Sequence, residues 1–552
     1  MPCLIFEDDH LLVVNKPPGL NTHAPAPFSG EGIYDWLRHR EPRWASLAII
    51  HRLDKETSGV LLFAKTPLAN RSLTEQFSQR AVRKKYLLLT DALGPERELT
   101  IKTSLVRLGA KYVSKPAGIG GELAITRFRH LGALGSGGPP AGLERAGTFP
   151  AGLPAAFQAC SLVQAEPLTG RTHQVRVHAA SSEFPILGDS LYGGSPASRL
   201  FLHAAELSIK HPVSNEEVTF RAPVDFAADP RLALRRALID QSSTNAWRLI
   251  HGAADGQPGW YVERLGEFLL SQAAQPLSPE QREKLRDWVE RLRSRGAYHK
   301  LFIRNVQETG SHALACPVLG EAASERFNIR ENGLQFELSL NEGYSFGLFL
   351  DQRDNRHRLL RSHVAAGFSL FPGRDPSRPM EILNAFSYTS AFSVCAAAAG
   401  HRVTSLDLSR KYLDWGKRNF ELNRLDPGAH EFIFGDVFDW FGRLARKRRR
   451  FDAIILDPPT FSRSKGSGVF RVEKDYGKLV AAALPLLASP GVLLASTNAA
   501  GWPAEQFVLS LETSIEGSKR TILQKHYAPQ PPDFPVTRAE PAYLKTVWYR
   551  LK

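Results

Sequence analysis

Cysteine is scarce in this chain, and this scarcity excludes some classes of protein. The 552 residues include 4 cysteines, at Cys3, Cys160, Cys316 and Cys395. A disulfide-stabilised scaffold uses far more cysteine per residue, so that class is excluded. The cysteines stand far apart and form no Cys-x-x-Cys pair. We therefore expect no metal site of the structural zinc type, and a reducing compartment.

Targeting and membrane-spanning segments are also missing from the sequence. The first ten residues have neither a basic region nor an apolar one, which argues against a signal peptide. The stretch most like a membrane span, residues 480–500, contains Pro485, Pro490 and Gly491. It is better explained as a buried helix, a turn and a buried strand. We therefore predict a soluble, cytoplasmic protein without a membrane contact.

Positive charge, in contrast, is in surplus. The chain has 70 Lys and Arg against 56 Asp and Glu, so its formal net charge is 70 − 56 = +14. Such a balance favours a polyanionic partner such as nucleic acid. The alternative is a basic background shared by many proteins of the same cell.

Length and pattern predict three domains in a multidomain chain that combines α+β and α/β folds. Residues 1–230 hold short β-like runs broken by turn residues, which favour a mixed, largely antiparallel sheet. Residues 245–340 hold strands and one amphipathic helix at 278–295, opened by Ser278 and Pro279. Residues 341–552 alternate strand and helix, which predicts a mainly parallel sheet.

Several local features can be predicted within these domains. Residues 174–178 alternate apolar and polar side chains and read as a strand. Residues 132–154 are dense in Gly, Pro and Ala and predict a mobile surface loop. Residues 300–303 predict a strand, and residues 478–487 a helix.

The first group of residues with chemical potential is His-Arg-Leu-Asp-Lys-Glu-Thr-Ser-Gly at 51–59. Turn-forming residues surround Asp54, and an apolar strand follows, so the carboxylate would be held at the wall of a cleft. Arg52 could keep Asp54 ionised or reach into a nucleic-acid helix. Taken alone, the pattern is better explained by a structural Asp–Arg pair at a turn, because so short a string has little specificity.

The wider context resembles the RluA-type RNA pseudouridine synthases. The resemblance spans the first domain in order and is carried by Asn-Lys-Pro-Pro-Gly at 15–19, Lys85-Tyr86, Leu-Thr-Gly-Arg-Thr-His-Gln-Val-Arg-Val-His at 168–178, and the segments 185–189, 201–204 and 211–212. It implies isomerisation of uridine in RNA, with no cofactor and no metal. The base is cut from its sugar, turned and rejoined through carbon.

The same resemblance implies roles for individual residues. Asp54 would attack covalently or move protons. Tyr86 would stack on the extruded uracil, and Arg171 would pair with Asp54 and keep it charged. For both, a packing role is the alternative. Arg52 would fill the space left by the flipped base, and the residues expected to contact RNA are Arg52, His51 and Lys85.

The second group of residues lies at successive strand ends of the third domain. Asp407, Asp436 and Asp457 each follow a predicted strand. In a parallel sheet such ends line one edge, where small ligands bind. Each acid alone could equally be a helix N-cap. No Gly-x-Gly-x-x-Gly or Gly-x-x-x-x-Gly-Lys pattern is present, which disfavours a nicotinamide cofactor and a P-loop.

Residues 247–552 resemble class I S-adenosylmethionine-dependent methyltransferases, with a Rossmann-like sheet. More narrowly, they are similar to 23S rRNA methyltransferases of the guanine-N7 and cytosine-carbon-5 groups, on the segments 248–259, 347–356, 382–392 and 457–462. The resemblance implies S-adenosylmethionine as cofactor. The residues expected to bind it are Asn384, Phe386, Tyr388, Asp407, Asp436, Asp457, Pro458, Gln352 and Arg356.

Two departures from the family pattern bear on activity. Ser390 and Ala391 stand where the cofactor loop usually has glycine, which keeps open a degenerate methyltransferase domain that serves as an RNA-binding arm. Cytosine-carbon-5 enzymes need a cysteine nucleophile near residues 492–495, and none follows Cys395, which we expect to pack in a helix. A ring nitrogen needs only alignment with the methyl donor, so guanine N7 is the favoured target.

We therefore expect one polypeptide with two RNA-modifying sites, acting on rRNA rather than tRNA. The alternatives are a pseudouridine synthase with a degenerate second domain, or a methyltransferase for a protein or small molecule. Two basic runs could contact RNA: residues 80–85 beside Tyr86, and residues 443–450. For the second run, a solvated helix end is an equal explanation.

Overall fold

The computed structural model describes residues 1–134, 159–302, 314–342, 345–373, 375, 378–464 and 468–552. Within them the chain divides into two compact units. The first comprises Met1–His23, Gly32–Tyr34 and Ser46–Asp240, and the second comprises Ala24–Glu31, Asp35–Ala45 and Gln241–Lys552. No described helix has both the length and the apolar character needed to cross a membrane. The three predicted domain boundaries remain a prediction.

The first unit is built on a mixed sheet of eleven described strands in the order β1-β2-β4-β10-β5-β9-β8-β6-β7, with β3 on β4 and β11 on β10. Its strands are β1 Leu4–Glu7, β2 Leu11–Lys16, β3 Ala48–Ile49, β4 Ser58–Ala64, β5 Arg83–Thr90, β6 Leu99–Leu108, β7 Lys111–Pro116, β8 Glu122–Ala133, β9 Ser161–Pro167, β10 Leu202–Lys210 and β11 Glu217–Arg221. The helices are Pro67–Ser78, Gln174–Ser181 and Pro230–Leu238. Most neighbouring strands pair antiparallel, as expected, and β4 with β10 is a parallel pair.

The small sheet of the second unit has the order β12-β13-β14-β15-β16. Its strands are β12 Ala246–His251, β13 Trp260–Leu265, β14 Phe268–Ala273, β15 Gly296–Leu301 and β16 Cys316–Gly320, followed by the hairpins β17 Phe327–Glu331 with β18 Leu334–Leu338 and β19 His363–Ala365 with β20 Phe368–Ser369. The helix Pro279–Arg291 begins as predicted: Ser278 caps it, and Gln281 closes a reciprocal capping box.

The large sheet of the second unit has the order β23-β22-β21-β24-β27-β29-β28. Its strands are β21 Glu381–Ala385, β22 Arg402–Asp407, β23 Glu431–Phe434, β24 Phe451–Leu456, β27 Leu487–Thr497, β28 Ile522–Pro529 and β29 Lys545–Leu551, with a separate hairpin β25 Phe461–Ser464 and β26 Gly468–Arg471. Five strands run parallel, and β29 is antiparallel to both of its neighbours. The predicted mainly parallel sheet is confirmed.

Helices cover both faces of this sheet, which explains its apolar strands. Ile382 and Ile455 point to the core that contains Cys395 of the helix Ala391–Ala398. Leu383 and Ile454 point to the opposite core. The remaining helices of the second unit are Ile33–Arg40 (which begins within the first unit), Arg353–Leu360, Arg410–Leu422, Val437–Arg446, Val472–Ala483 and Ala504–Gly517.

Four local predictions need correction or lie at least partly outside the described residues. Residues 174–178 form the start of the helix Gln174–Ser181, not a strand, because both faces of this short segment are buried and alternation carries no signal there. The predicted helix at 478–487 begins earlier, at Val472, and gives way to a 3₁₀ turn at Leu484–Leu486. Most of the predicted loop 132–154 and the end of the predicted strand 300–303 fall outside the described residues.

Gly59 allows β4 to lie close to β10 at the end of the 51–59 motif. Its φ is +120°, and a Cβ there would collide with the carbonyl oxygen of Ala204. We expect Gly59→Ala to lower the free energy of unfolding by about 2 kcal/mol. Gly442→Ala is the control, because that glycine lies in a helix with open space around it and the change should stabilise by about 0.5–1 kcal/mol. Calorimetry that gave both variants the same melting temperature would contradict this role of Gly59.

Candidate active sites

The first site is built around Asp54, in the turn between β3 and β4. Its side chain is 28% exposed. Asp54 Oδ2 accepts a hydrogen bond from Nη1 of Arg176 at 3.3 Å and lies 3.8 Å from Nε2 of His173. The carboxylate is therefore accessible from one side and held from the other by positive charge.

Arg176 is fixed by a second, fully buried acid. Its Nε and Nη2 each donate to Asp189 at 2.8 Å, and the Asp189 side chain is 0% exposed. Burial by itself lowers the pKa of Arg176, but the hydrogen bonds and charge of Asp189, together with Asp54, raise it. The guanidinium therefore stays charged and cannot rotate away from Asp54.

The predicted pairing of Arg171 with Asp54 is wrong. Arg171 instead donates to Glu122 at 2.8 Å and to the carbonyl oxygen of Leu123 at 3.2 Å. Arg176, five residues later, lies on the buried inner side of the helix Gln174–Ser181. The turn before that helix carries Arg171 outward, so the two arginines of one motif serve different partners.

Tyr86 lies on β5, opposite Ala204 of β10 and Ala165 of β9. Its ring is half-buried against an apolar cluster. Burial, and then the charge of Asp54, raise the pKa of its hydroxyl. Tyr86 therefore stays protonated at neutral pH and presents a neutral ring near Asp54, as a stacking role requires.

The three residues predicted to contact RNA differ in environment. Arg52 is exposed, whereas Lys85 forms an ion pair with Glu206 at 3.1 Å. His51 accepts a hydrogen bond from the amide of Leu62 and stacks on a phenylalanine ring. Burial lowers the pKa of His51 to about 3, so its imidazole is neutral and engaged within the fold.

Lys16 is a buried cation that was not among the residues predicted from the sequence. Its ammonium donates to the carbonyl oxygens of Pro17, Leu20 and Lys55, and burial lowers its pKa to about 7. These bonds join β2 to the turn that carries Asp54. Lys16 could have been found from its place in the segment 15–19, which is one of the segments that resemble the pseudouridine synthases.

The second site is a cavity of about 500 Å³ at the carboxyl edge of the large sheet. It brings together seven of the predicted cofactor residues: Gln352, Phe386, Tyr388, Asp407, Asp436, Asp457 and Pro458. Asn384 and Arg356 do not line it. Asn384 is buried and donates to Ser393, and Arg356 forms a buried bidentate pair with Glu331, so both support the fold instead.

The loop between β21 and the following helix adopts an unusual backbone conformation. Phe386, Tyr388 and Ser390 have φ values of 59°, 50° and 61°, a region in which glycine is favoured. Asp407 fixes this loop, because its Oδ2 accepts the amide of Tyr388 and its Oδ1 the amide of Ser409, both at 2.8 Å. Ser390 thus adopts a left-handed backbone conformation that favours glycine.

The three strand-end acids differ in what they do. Asp436 caps the helix Val437–Arg446 through the amide of Phe438 and also lines the cavity, so cap and ligand roles are compatible. Asp457 accepts a hydrogen bond from Gln352 at 3.1 Å, and burial followed by the charge of Asp351 raises its pKa to about 7. Asp351 itself lines the cavity, accepts from Tyr543 at 2.8 Å, and was not predicted.

The two sites match two protein families. Residues 248–550 match S-adenosylmethionine-dependent methyltransferases, and residues 10–181 match RNA pseudouridylate synthases. The chain belongs to the S-adenosylmethionine-dependent methyltransferases and carries an RNA pseudouridylate synthase domain at its amino-terminal end. It is therefore an enzyme with a pseudouridine synthase domain and a methyltransferase domain.

Named relatives cover both parts. The ribosomal RNA large subunit methyltransferase of Deinococcus radiodurans is 31% identical over 348 residues, covering 62% of this chain and 81% of the relative. Ribosomal large subunit pseudouridine synthase C of Yersinia pestis is 36% identical over 236 residues, covering 40% of this chain and 66% of the relative. A crystal structure of a methyltransferase complexed with S-adenosylhomocysteine is 30% identical, covers 62% of this chain and 86% of its own, and gives a TM-score of 0.49.

The methyltransferase cavity fits S-adenosylmethionine on chemical grounds. Carboxylates at the ends of β22 and β24 can accept hydroxyl and ammonium donors, and the rings of Phe349, Tyr388 and Tyr412 offer faces to a cation. When bound, the cofactor supplies an electrophilic methyl group. This chain's residues hold it, orient it and exclude water.

The arginine assignment in the synthase site can be tested by paired substitutions. We expect Arg176→Lys to lower the rate of pseudouridine formation about 100-fold, because lysine cannot donate to Asp189 and Asp54 in the same fork. Arg171→Lys should change it far less. Melting temperatures of the same preparations, compared with wild type, show whether the unit that holds Arg176 remains folded. If the two variants were equally impaired, the assignment of Arg176 would fail.

Burial of Asp457 predicts a pH dependence of stability. Its pKa is about 7 in the folded chain against an ordinary value of 3.8 for aspartate, so between those pH values the folded state holds the extra proton. The free energy of unfolding should therefore fall as pH rises through this window, and Asp457→Asn should remove part of the fall. The control is Asp439→Asn, at an exposed helix position. Urea unfolding at pH 5, 6, 7 and 8 measures this. A wild-type profile unchanged by Asp457→Asn would refute it.

Proposed function

We propose that the chain modifies large-subunit rRNA at two sites, forming pseudouridine in one and methylating a base in the other. The coexistence of an accessible, arginine-paired Asp54 and an acid-lined cofactor cavity in one polypeptide carries this proposal. The named relatives add the choice of rRNA over tRNA, since they act on the large ribosomal subunit by name. We place the enzyme in the cytoplasm, where that RNA is.

In the synthase site, the hydrogen bond from Arg176 holds the Asp54 carboxylate in position to attack the flipped nucleoside or to move a proton. The bond from the ribose to N1 of uracil breaks, and a bond to C5 forms. The proton on C5 is lost, and N1 gains one, so the reaction is balanced without another reactant. We therefore propose that this site needs no cofactor. Tyr86 supplies the ring against which the turned base stacks.

In the methyltransferase site, Asp407 would accept the ribose hydroxyls of S-adenosylmethionine through the oxygen lone pairs that its two amide donors leave unused. Asp436 would lie near the adenine, and Gln352, Asp457 and Pro458 near the target base. Guanine N7 remains the favoured target, because the part of the chain that the structure describes places no cysteine in the cavity.

The alternative of a degenerate methyltransferase domain rested on Ser390 and Ala391, and the structure gives Ser390 the unusual backbone. Its left-handed φ means that serine takes the conformation for which glycine is usually needed, at a cost of about 1–3 kcal/mol. Because Phe386, Tyr388 and the three strand-end acids still line the cavity, the geometry favours a functional cofactor site.

Separate substitutions should separate the two activities. In a strain that lacks the gene, complementation with Asp54→Asn should restore the methyl group but no pseudouridine in 23S rRNA. Asp407→Ala should restore pseudouridine and little methylation, because cofactor affinity falls. Mass mapping of the rRNA reads both modifications from one sample. Loss of both modifications in both strains would argue for one shared site, and an unchanged map in the parent deletion strain would reject rRNA as substrate.

A further inference from the structure

An exposed cationic and aromatic surface adjoins the methyltransferase cavity. We call it the arginine–aromatic patch and define it by Arg410, Phe434, Trp440, Arg443, Arg446, Lys447, Arg448 and Arg450. Phe434 is 51% exposed, and the cationic members are all exposed. Nothing in the synthase or methyltransferase chemistry described above uses these side chains.

The patch borders the cavity through the backbone that joins its members. Phe434 ends β23, and Asp436, Val437 and Phe438 line the cavity directly after it. Trp440 follows on the first turns of the helix Val437–Arg446. On the neighbouring strand end, Leu408 lines the cavity and is 46% exposed. A ligand that crosses the patch therefore reaches the rim of the cofactor site.

Two guanidinium groups lie over aromatic rings of the patch. Arg410 lies 5.3 Å from the centroid of Phe434, and Arg443 lies 5.0 Å from that of Trp440. Trp440 is anchored, because its Nε1 donates to the carbonyl oxygen of Phe434 at 3.2 Å. Phe434 is exposed and Trp440 is half-buried, and cations beside accessible rings are the groups on which unpaired bases stack while their phosphates are neutralised.

The charge of the patch is largely uncompensated. Arg449, in the middle of the basic run, pairs with Glu431 at 3.1 Å and turns toward the sheet. Among the described residues, no ion pair with an acid is formed by Arg446, Lys447 or Arg448. Arg448 has a φ of 55°, and its amide bonds back to Ala445, so the end of the helix is a defined turn. The cations are thus displayed from a fixed backbone.

A favourable interaction with the helix dipole does not explain every cation of the basic run 443–450. Arg443 and Arg446 occupy the last turn of the helix, where a positive charge is stabilising. Arg448 lies beyond it, in a left-handed position where glycine would be more stable than arginine. The two explanations therefore predict opposite effects of Arg448→Gly on stability.

We propose that the arginine–aromatic patch binds a single-stranded segment of the substrate RNA, with bases stacked on Phe434 and Trp440 and phosphates held by the basic run. This inference rests on the proposed function. It assigns a docking surface on the methyltransferase unit that holds RNA beside the cofactor cavity without taking part in methyl transfer.

The chain offers a closely matched control for the key substitution. Arg293 also follows a helix, Pro279–Arg291, is exposed, and has a φ of 51°. Arg448→Gly and Arg293→Gly therefore remove the same charge from the same kind of helix end. Phe434→Leu removes a ring at the patch but keeps an apolar side chain. The probe is a fluorescein-labelled single-stranded RNA of 20 nucleotides, titrated with the full-length chain at several salt concentrations.

For Arg448→Gly we expect the slope of log affinity against log salt to decrease in magnitude by about 0.7, with an unchanged or higher melting temperature. Arg293→Gly should leave the slope at the wild-type value. Phe434→Leu should weaken binding at least about fivefold. The affinity for S-adenosylmethionine should stay the same in all three variants, because none of these residues lines the cavity.

Equal salt slopes for Arg448→Gly, Arg293→Gly and wild type would overturn the proposed RNA-binding role of the patch. An equal decrease of the slope in both variants would also overturn it, because it would indicate nonspecific attraction. A lower melting temperature for Arg448→Gly with unaltered RNA binding would assign the run to helix stability alone. The wild-type chain is assayed in parallel for methyl transfer to deproteinised 23S rRNA. If the wild type methylates this RNA and the variants bind RNA as well as the wild type does, only the patch is rejected. If the wild type neither binds nor methylates the RNA, the proposed function is rejected as well.

Discussion

The buried fork between Arg176 and Asp189 is the interaction on which the synthase site depends. A guanidinium that donates twice to a fully enclosed carboxylate has one orientation left, and in it the remaining nitrogen faces Asp54. Asp54 itself lies in a turn, where a side chain would otherwise sample several rotamers. The cost of burying the charges of Arg176 and Asp189 is offset by their mutual hydrogen bonds, and the partly exposed Asp54 is held in place.

The methyltransferase site uses carboxylates under the opposite condition. At the carboxyl edge of the parallel sheet, Asp407 is held by backbone amides. Asp457 and Asp351 line the same cavity, where burial raises the pKa of both carboxyl groups and the charge of Asp351 raises that of Asp457 further. A cationic ligand would favour the charged form of these buried acids. Both units thus place an acid directly beside a buried strand, and the surrounding groups decide whether it stays charged.

The sequence predicted the cavity acids correctly because a single geometric rule of parallel sheets applies to them. Parallel strands place their ends together, so Asp407, Asp436 and Asp457 could be grouped before any contact was known, and all three line one cavity. The same reasoning could not exclude Asn384 and Arg356, because whether a side chain faces the ligand or the core behind it depends on packing. Arg356 forms an ion pair with Glu331, which lies 25 residues away, and no rule of sequence spacing predicts that pair.

The synthase site shows a different limit. Arg171 and Arg176 belong to one motif, and choosing between them required knowing that residue 174 begins a helix. The buried segment is too short for its periodicity to distinguish helix from strand. Asp351 and Lys16 were missed for a related reason: each acts through burial and through carbonyl or hydroxyl partners distant in sequence.

The central claim, that one chain carries two independent modifying sites, can be measured most directly with purified full-length protein and deproteinised 23S rRNA. Pseudouridine and methylated bases are quantified by mass spectrometry with and without added S-adenosylmethionine. Pseudouridine should form to the same extent in both reactions, and methylation should appear only when the cofactor is present. Pseudouridine formation that required the cofactor, or the absence of either product with it, would contradict the account.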